Sequence, residues 1–125
     1  MTIQKIDLHP ENNFTFSSAV VAGDFIYTAH TGGVYDDNGT VLNTIEEQTE
    51  QTFRNLEKTL AAAGATLNDV VRVLVVLRTI DDFAAMRDVY RRQFTDGYPA
   101  RMTITSELID AECLILVDAV AYKPR

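Results

Sequence analysis

The chain has one cysteine, Cys113, among its 125 residues, so no disulfide can form within it, and that scarcity fits a reducing compartment. No histidine or second cysteine flanks Cys113, which reads as a small buried hydrophobe rather than a reactive thiol. Surplus positive charge is also missing. With 11 Lys and Arg against 18 Asp and Glu, the formal charge is -7, which repels a phosphate backbone and excludes nucleic acid as the expected partner. The two histidines, His9 and His30, do not form a pair positioned for RNA cleavage. Arg87, Arg91 and Arg92 make a local basic patch, but their spacing is ordinary for the solvated side of a helix. Long apolar runs are absent from the first ten residues, where Gln4, Lys5, Asp7 and His9 interrupt any signal peptide or membrane span. A cytoplasmic protein without a membrane partner is expected. At 46% hydrophobic residues, the chain reads as one domain over residues 1–125 that needs no staple.

What is present is organised around Tyr98-Pro99-Ala100-Arg101-Met102-Thr103-Ile104-Thr105. Pro99 fixes its own φ and pushes Tyr98 toward extended geometry, so a strand starts stiffly and presents Arg101 in a defined direction. A guanidinium is a planar, permanently charged fork that matches a carboxylate with two parallel hydrogen bonds, which a lysine does not reproduce. The ordinary alternative is an arginine that is solvated or paired to a nearby acid.

Along the chain, residues 2–8 alternate loosely as a short strand, and residues 17–22 and 25–31 flank Gly23-Asp24 as a β-hairpin. His30-Thr31-Gly32-Gly33 loosens the backbone, either for close approach to a ligand or as a strand exit. Asp36-Asp37-Asn38-Gly39-Thr40 is a turn. It is not a calcium loop, because the position that requires glycine holds Val41, and no metal site is expected. Residues 44–63 form a helix with a Thr44 and Glu47 capping box, a buried stripe of Phe53, Leu56, Leu60 and Ala63, and Gly64 as the stop. The apolar run at residues 70–77, broken only by Arg72, predicts a central strand covered on both faces. Thr79 and Asp82 cap a second helix whose stripe of Phe83, Met86, Tyr90 and Phe94 is core and not a cofactor box, so no cofactor is expected. Residues 114–122 return as the last strand. The order is βββαβαββ, an α+β mixed sheet with right-handed crossovers and both helices on one face. The other face then needs cover, which a homo-oligomer supplies.

Val21-Ala22-Gly23-Asp24-Phe25-Ile26-Tyr27, Glu46-Glu47-Gln48-Thr49, Asn55-Leu56, Ala62-Ala63-Gly64-Ala65, Asp69-Val70-Val71, Asp82-Phe83 and Pro99-Ala100-Arg101 together resemble the RidA (YjgF/YER057c/UK114) family, from about Phe16 to Tyr122. The resemblance implies a chorismate-mutase-like subunit, a homotrimer, and ligand pockets in the clefts between subunits. It also implies an enamine/imine deaminase that hydrolyses a small imino acid to a 2-keto acid and ammonia, with Arg101 gripping the substrate carboxylate.

The departures bear on catalysis. Where the family's active members usually have a tyrosine, this chain has Phe16; where they have Ser-Gly-Gln, it has Ala29-His30-Thr31. The glutamate that orients the attacking water falls on Leu116. Strand alternation puts Asp118 on the same face as Leu116, from where it can offer a carboxylate, and His30 can take over part of the lost hydrogen bonding. The ordinary alternatives are that Asp118 pairs with a base and that His30 is structural. Two readings stand: a divergent deaminase with Arg101 as clamp and Asp118 or His30 in the proton role, and a trimer that binds a small carboxylate without hydrolysing it.

Overall fold

Extended segments alternate in burial along the chain, and this alternation gathers them into one sheet. In the computed structural model, which describes residues 2–125, β1 (Ile3–Ile6) pairs antiparallel with β2 (Ala19–Ala22), which turns back into β3 (Phe25–Thr28). Gly23 takes a φ of 61° at the first of the two turn positions, a conformation a Cβ would strain, so the expected hairpin forms. β1 is shorter than residues 2–8; its side chains are mostly exposed, with Ile6 packing against the core.

The helix α1 (Ile45–Ala62) begins as the capping pattern requires. The Thr44 hydroxyl oxygen accepts from the Glu47 amide at 3.1 Å, and the hydroxyl donates to the Glu47 carboxylate at 3.0 Å. Its inner stripe of Phe53, Leu56 and Leu60 is fully buried. β4 (Val70–Leu77) follows, then a 3-10 turn at Ile80–Asp82, whose start Thr79 caps, then α2 (Phe83–Arg91). Phe53 of α1 meets Tyr90 and Phe94 edge-on, with ring centroids 5.5 and 5.9 Å apart, so the two helices lock side by side. β5 (Ala100–Thr105) and β6 (Ile115–Tyr122) complete the βββαβαββ order.

The sheet order is β1-β2-β3-β6-β4-β5, antiparallel except for the β4–β5 pair. Ile26, Val73, Val75, Leu77, Ile115, Val117, Ala119 and Ala121 point from it toward the helices and are buried. The expectation that residues 70–77 form a central strand covered on both faces is corrected. β3 and β6 share the middle of the six strands, β4 lies between β6 and the edge strand β5, and among the described residues no helix covers the Arg72, Leu74 and Val76 side of β4. That open face is apolar, with Tyr27 49%, Met102 53% and Ile104 43% exposed beside Leu116, Val120 and Tyr122.

The His30 to Gly33 segment is a strand exit with one close approach, and the approach is to a helix. Thr31 bridges to Val117 on β6, and a Cβ on Gly33 would stand 2.6 Å from both the Gln48 carbonyl oxygen and the Thr52 amide nitrogen of α1. The Asp36 turn forms as read, its carboxylate accepting from the Asn38 and Thr40 amides.

Candidate functional site

Arg101 stands on the edge strand β5, beside Val73 of β4, and shares the helix-facing side of the sheet with it. Its guanidinium carbon lies 4.7 Å from the centre of the Tyr90 ring and 5.7 Å from that of Phe83, both on α2. These cation–π contacts hold the guanidinium in place, and among the described residues its N–H groups make no hydrogen bond or ion pair within the chain, so they can serve a ligand. Among the described residues no carboxylate comes within 4.0 Å of Arg101, so the acid-paired alternative does not hold. An open cleft of about 330 Å³ lies against it, lined by Arg87, Tyr90, Arg91, Tyr98, Pro99 and Arg101. The Tyr90 hydroxyl is buried with no hydrogen-bond partner at this wall. Burial pushes its pKa above the ordinary phenol value, and the Arg101 charge partly offsets the rise, so the hydroxyl remains a donor at neutral pH.

Leu116 and Asp118 lie on the opposite face. Asp118 is the lateral partner of Leu74 on β4, and alternation from the buried Val73 turns Leu74 away from the helices. Phe16 and His30 come to this face from the loops on either side of the first hairpin, their rings 5.0 Å apart, and Phe14 stacks on Phe16 at 5.1 Å. Asp118 is half-buried and has no ion-pair partner within 4.0 Å among the described residues. Burial raises its pKa above the usual carboxylate value, opposed by the charges of Arg72 and then His30. His30 is exposed, so a buried structural role does not describe it. Leu116 faces the Gly32 backbone, its Cδ2 lying 3.1 Å from where a Cβ would sit, and Ala29 is tied down by its amide donating to the Ser18 carbonyl at 2.9 Å.

The sequence-predicted residues therefore fall into two groups. Phe16, Ala29, His30, Leu116 and Asp118 gather at the open face, with His30 near enough to Asp118 to act on its charge. Arg101 sits on the other side of the sheet, and one chain does not bring it to them. Tyr90, Arg87 and Arg91 were not read as site residues. The i, i+4 spacing of the two arginines matches any solvated helix face, and Tyr90 belongs to the core stripe while also forming the wall under Arg101. Cys113 is buried as read, its thiol donating to the Ile115 carbonyl, and burial pushes its pKa up.

The sequence pattern described as endoribonuclease L-PSP matches residues 7–123. A RutC family protein of Pyrococcus abyssi is 37% identical over 109 residues, 86% of each chain. The 2-iminobutanoate/2-iminopropanoate deaminase of Dermatophagoides farinae is 30% identical over 118 residues, which cover 89% of this chain and 92% of that protein. A solved member of the YjgF/YER057c/UK114 family from Mycobacterium tuberculosis has the same chorismate-mutase-like α+β fold, with a TM-score of 0.84 over 97% of this chain and 99% of that one at 27% identity.

Proposed function

Because the chain belongs to the endoribonuclease L-PSP family, which is also the RidA (YjgF/YER057c/UK114) family, we propose that it is a deaminase of small imino acids working as a homotrimer. The observation that carries this reading is Arg101, a guanidinium 4.7 Å from the centre of the Tyr90 ring, lining a cleft and without an acidic partner among the described residues. A carboxylate is the small planar anion such a fork recognises best.

The reaction adds water to a carbon–nitrogen double bond. With the substrate carboxylate on Arg101, a water oxygen bonds to the imine carbon and the π pair moves to nitrogen, which takes a proton. The O–H proton of the resulting carbinolamine then passes to nitrogen, the C–N bond breaks with its electron pair leaving on nitrogen, and ammonia departs from a 2-keto acid. Asp118, with its pKa raised by burial, accepts the proton from water and returns it to nitrogen, and His30 beside it supports the same transfer. Arg101 and Asp118 lie on opposite faces of the sheet, so this mechanism needs the Arg101 of one subunit to meet the Asp118 of its neighbour. An apolar face carrying Tyr27, Met102, Ile104 and Tyr122 is the kind of surface that subunit contact covers. Ribonuclease action is not favoured: the charge is -7, His9 lies by Glu11, and His30 packs on Phe16.

One residue favours a second reading, in which the trimer binds a small carboxylate without hydrolysing it. Leu116 is apolar at the position where the family resemblance implies a water-activating glutamate. The test is to generate 2-aminoacrylate enzymatically and follow imine loss and keto-acid release. The deaminase reading expects measurable wild-type activity that falls about a hundredfold in Asp118→Asn or His30→Ala. The binding reading expects an inactive wild type in which Leu116→Glu creates hydrolysis.

A further inference from the structure

The cleft beside Arg101 holds more positive charge than one carboxylate requires. Three of its six lining residues are arginines, none is an acid, and the chain as a whole carries a formal charge of -7. Arg87 and Arg91 stand one turn apart on α2, on the same side of the helix. Arg91 has no carboxylate within 4.0 Å among the described residues, and Arg87 has only an exposed contact to its sequence neighbour Asp88 at 3.9 Å. An exposed pair at that distance neutralises little. The Arg87 guanidinium also lies 5.7 Å from the centre of the Phe83 ring, as does that of Arg101, so one aromatic ring braces two cations. Tyr98 stacks on Tyr90 at 6.3 Å and gives the space next to the cations an apolar wall.

We propose that this cleft takes an imino acid with two carboxylates, the one next to the reacting carbon on Arg101 and the distal one on Arg87 and Arg91. The inference deepens the deaminase reading and rests on its assignment of Arg101. Arg87 and Arg101 each stand 5.7 Å from the centre of the Phe83 ring, so their guanidinium carbons are no more than about 11 Å apart. A four- or five-carbon diacid, with each carboxylate carbon about 4 Å from its guanidinium carbon, reaches across a gap of that size. A monocarboxylic imino acid fills the cleft but leaves Arg87 and Arg91 without a counter-charge.

The test compares two stable product analogues that differ only at the distal end, 2-oxoglutarate and 2-oxopentanoate, by calorimetry on the intact wild-type protein at low salt. The proposal expects 2-oxoglutarate to bind at least tenfold more tightly. Replacing both cations (Arg87→Gln with Arg91→Gln) should bring the ratio to within twofold of one, whereas Arg92→Gln, which removes an equal charge from a residue outside the cleft, should leave it unchanged. Equal binding of the two acids by the wild type overturns the proposal and leaves the Arg101 clamp standing. A preference that survives the double replacement overturns it as well. If neither acid binds, the clamp assignment fails and takes this inference with it.

Discussion

Gln48 is the buried polar residue on which the placement of β6 depends. Its Nε2 donates to the Leu42 and Glu112 carbonyls, both at 2.9 Å, and its Oε1 accepts from the Leu114 amide at 2.8 Å. One side chain of α1 thus ties down the loop before the helix and the residues leading into the strand that carries Leu116 and Asp118. Gln48→Leu keeps the volume and removes all three bonds. The Glu112 carbonyl belongs to an exposed residue and recovers with water, but the Leu42 carbonyl and the Leu114 amide are less accessible and lose about 1–3 kcal/mol each. The expected destabilisation is about 2–6 kcal/mol. With an unfolding entropy near 2.1 cal/mol/K per residue, this lowers the melting temperature of a domain this size by about 8–23 °C. Thermal unfolding followed by circular dichroism, at one fixed protein concentration, measures it. A drop below about 2 °C would refute the reasoning and mean that these backbone groups find other partners at little cost.

Arg101→Lys should weaken binding of a 2-keto acid nearly as much as Arg101→Ala, since both lose the bidentate fork, and calorimetry in which lysine retains full affinity would contradict the clamp. Asp118 gives a pH signature. Its folded pKa is raised by burial, so its contribution to stability is fully present below the unfolded carboxyl's pKa, about 3.9, and is lost as pH rises through the folded value. Asp118→Asn should therefore melt higher than wild type at pH 7, with the gain vanishing toward pH 3.5. A gain independent of pH would show that the effect is not the charge.

Local signals were the legible ones. Gly23 with Asp24, the Thr44 and Glu47 box and the Phe53 to Ala63 stripe each act within a few residues, and each appears where the pattern places it. Strand neighbours were not legible. Residues 70–77 and residues 114–122 are similarly apolar, and nothing in their composition says that β6 inserts between β3 and β4. The side of the sheet that Arg101 takes was hidden for a related reason. Met102 and Ile104 alternate with Arg101, Thr103 and Thr105, so apolar residues sit on the open face and polar ones face α2 at this edge, the reverse of the usual pattern. The inversion occurs because β5 is an edge strand whose outer helix-side flank is the cleft itself.

The most direct measurement of the central claim uses the placement of Arg101 and Asp118 on opposite faces. If the working site joins the Arg101 of one subunit to the Asp118 of the next, Arg101→Ala and Asp118→Asn chains are each nearly inactive alone and complement each other when unfolded, mixed in equal amounts and refolded together. In a cyclic trimer assembled at random, about one interface in four combines an intact Arg101 with an intact Asp118, so imine hydrolysis should return to about a quarter of the wild-type rate. Recovery near that level supports the shared site. A mixture no more active than its two components, although it forms hybrid trimers, would contradict it.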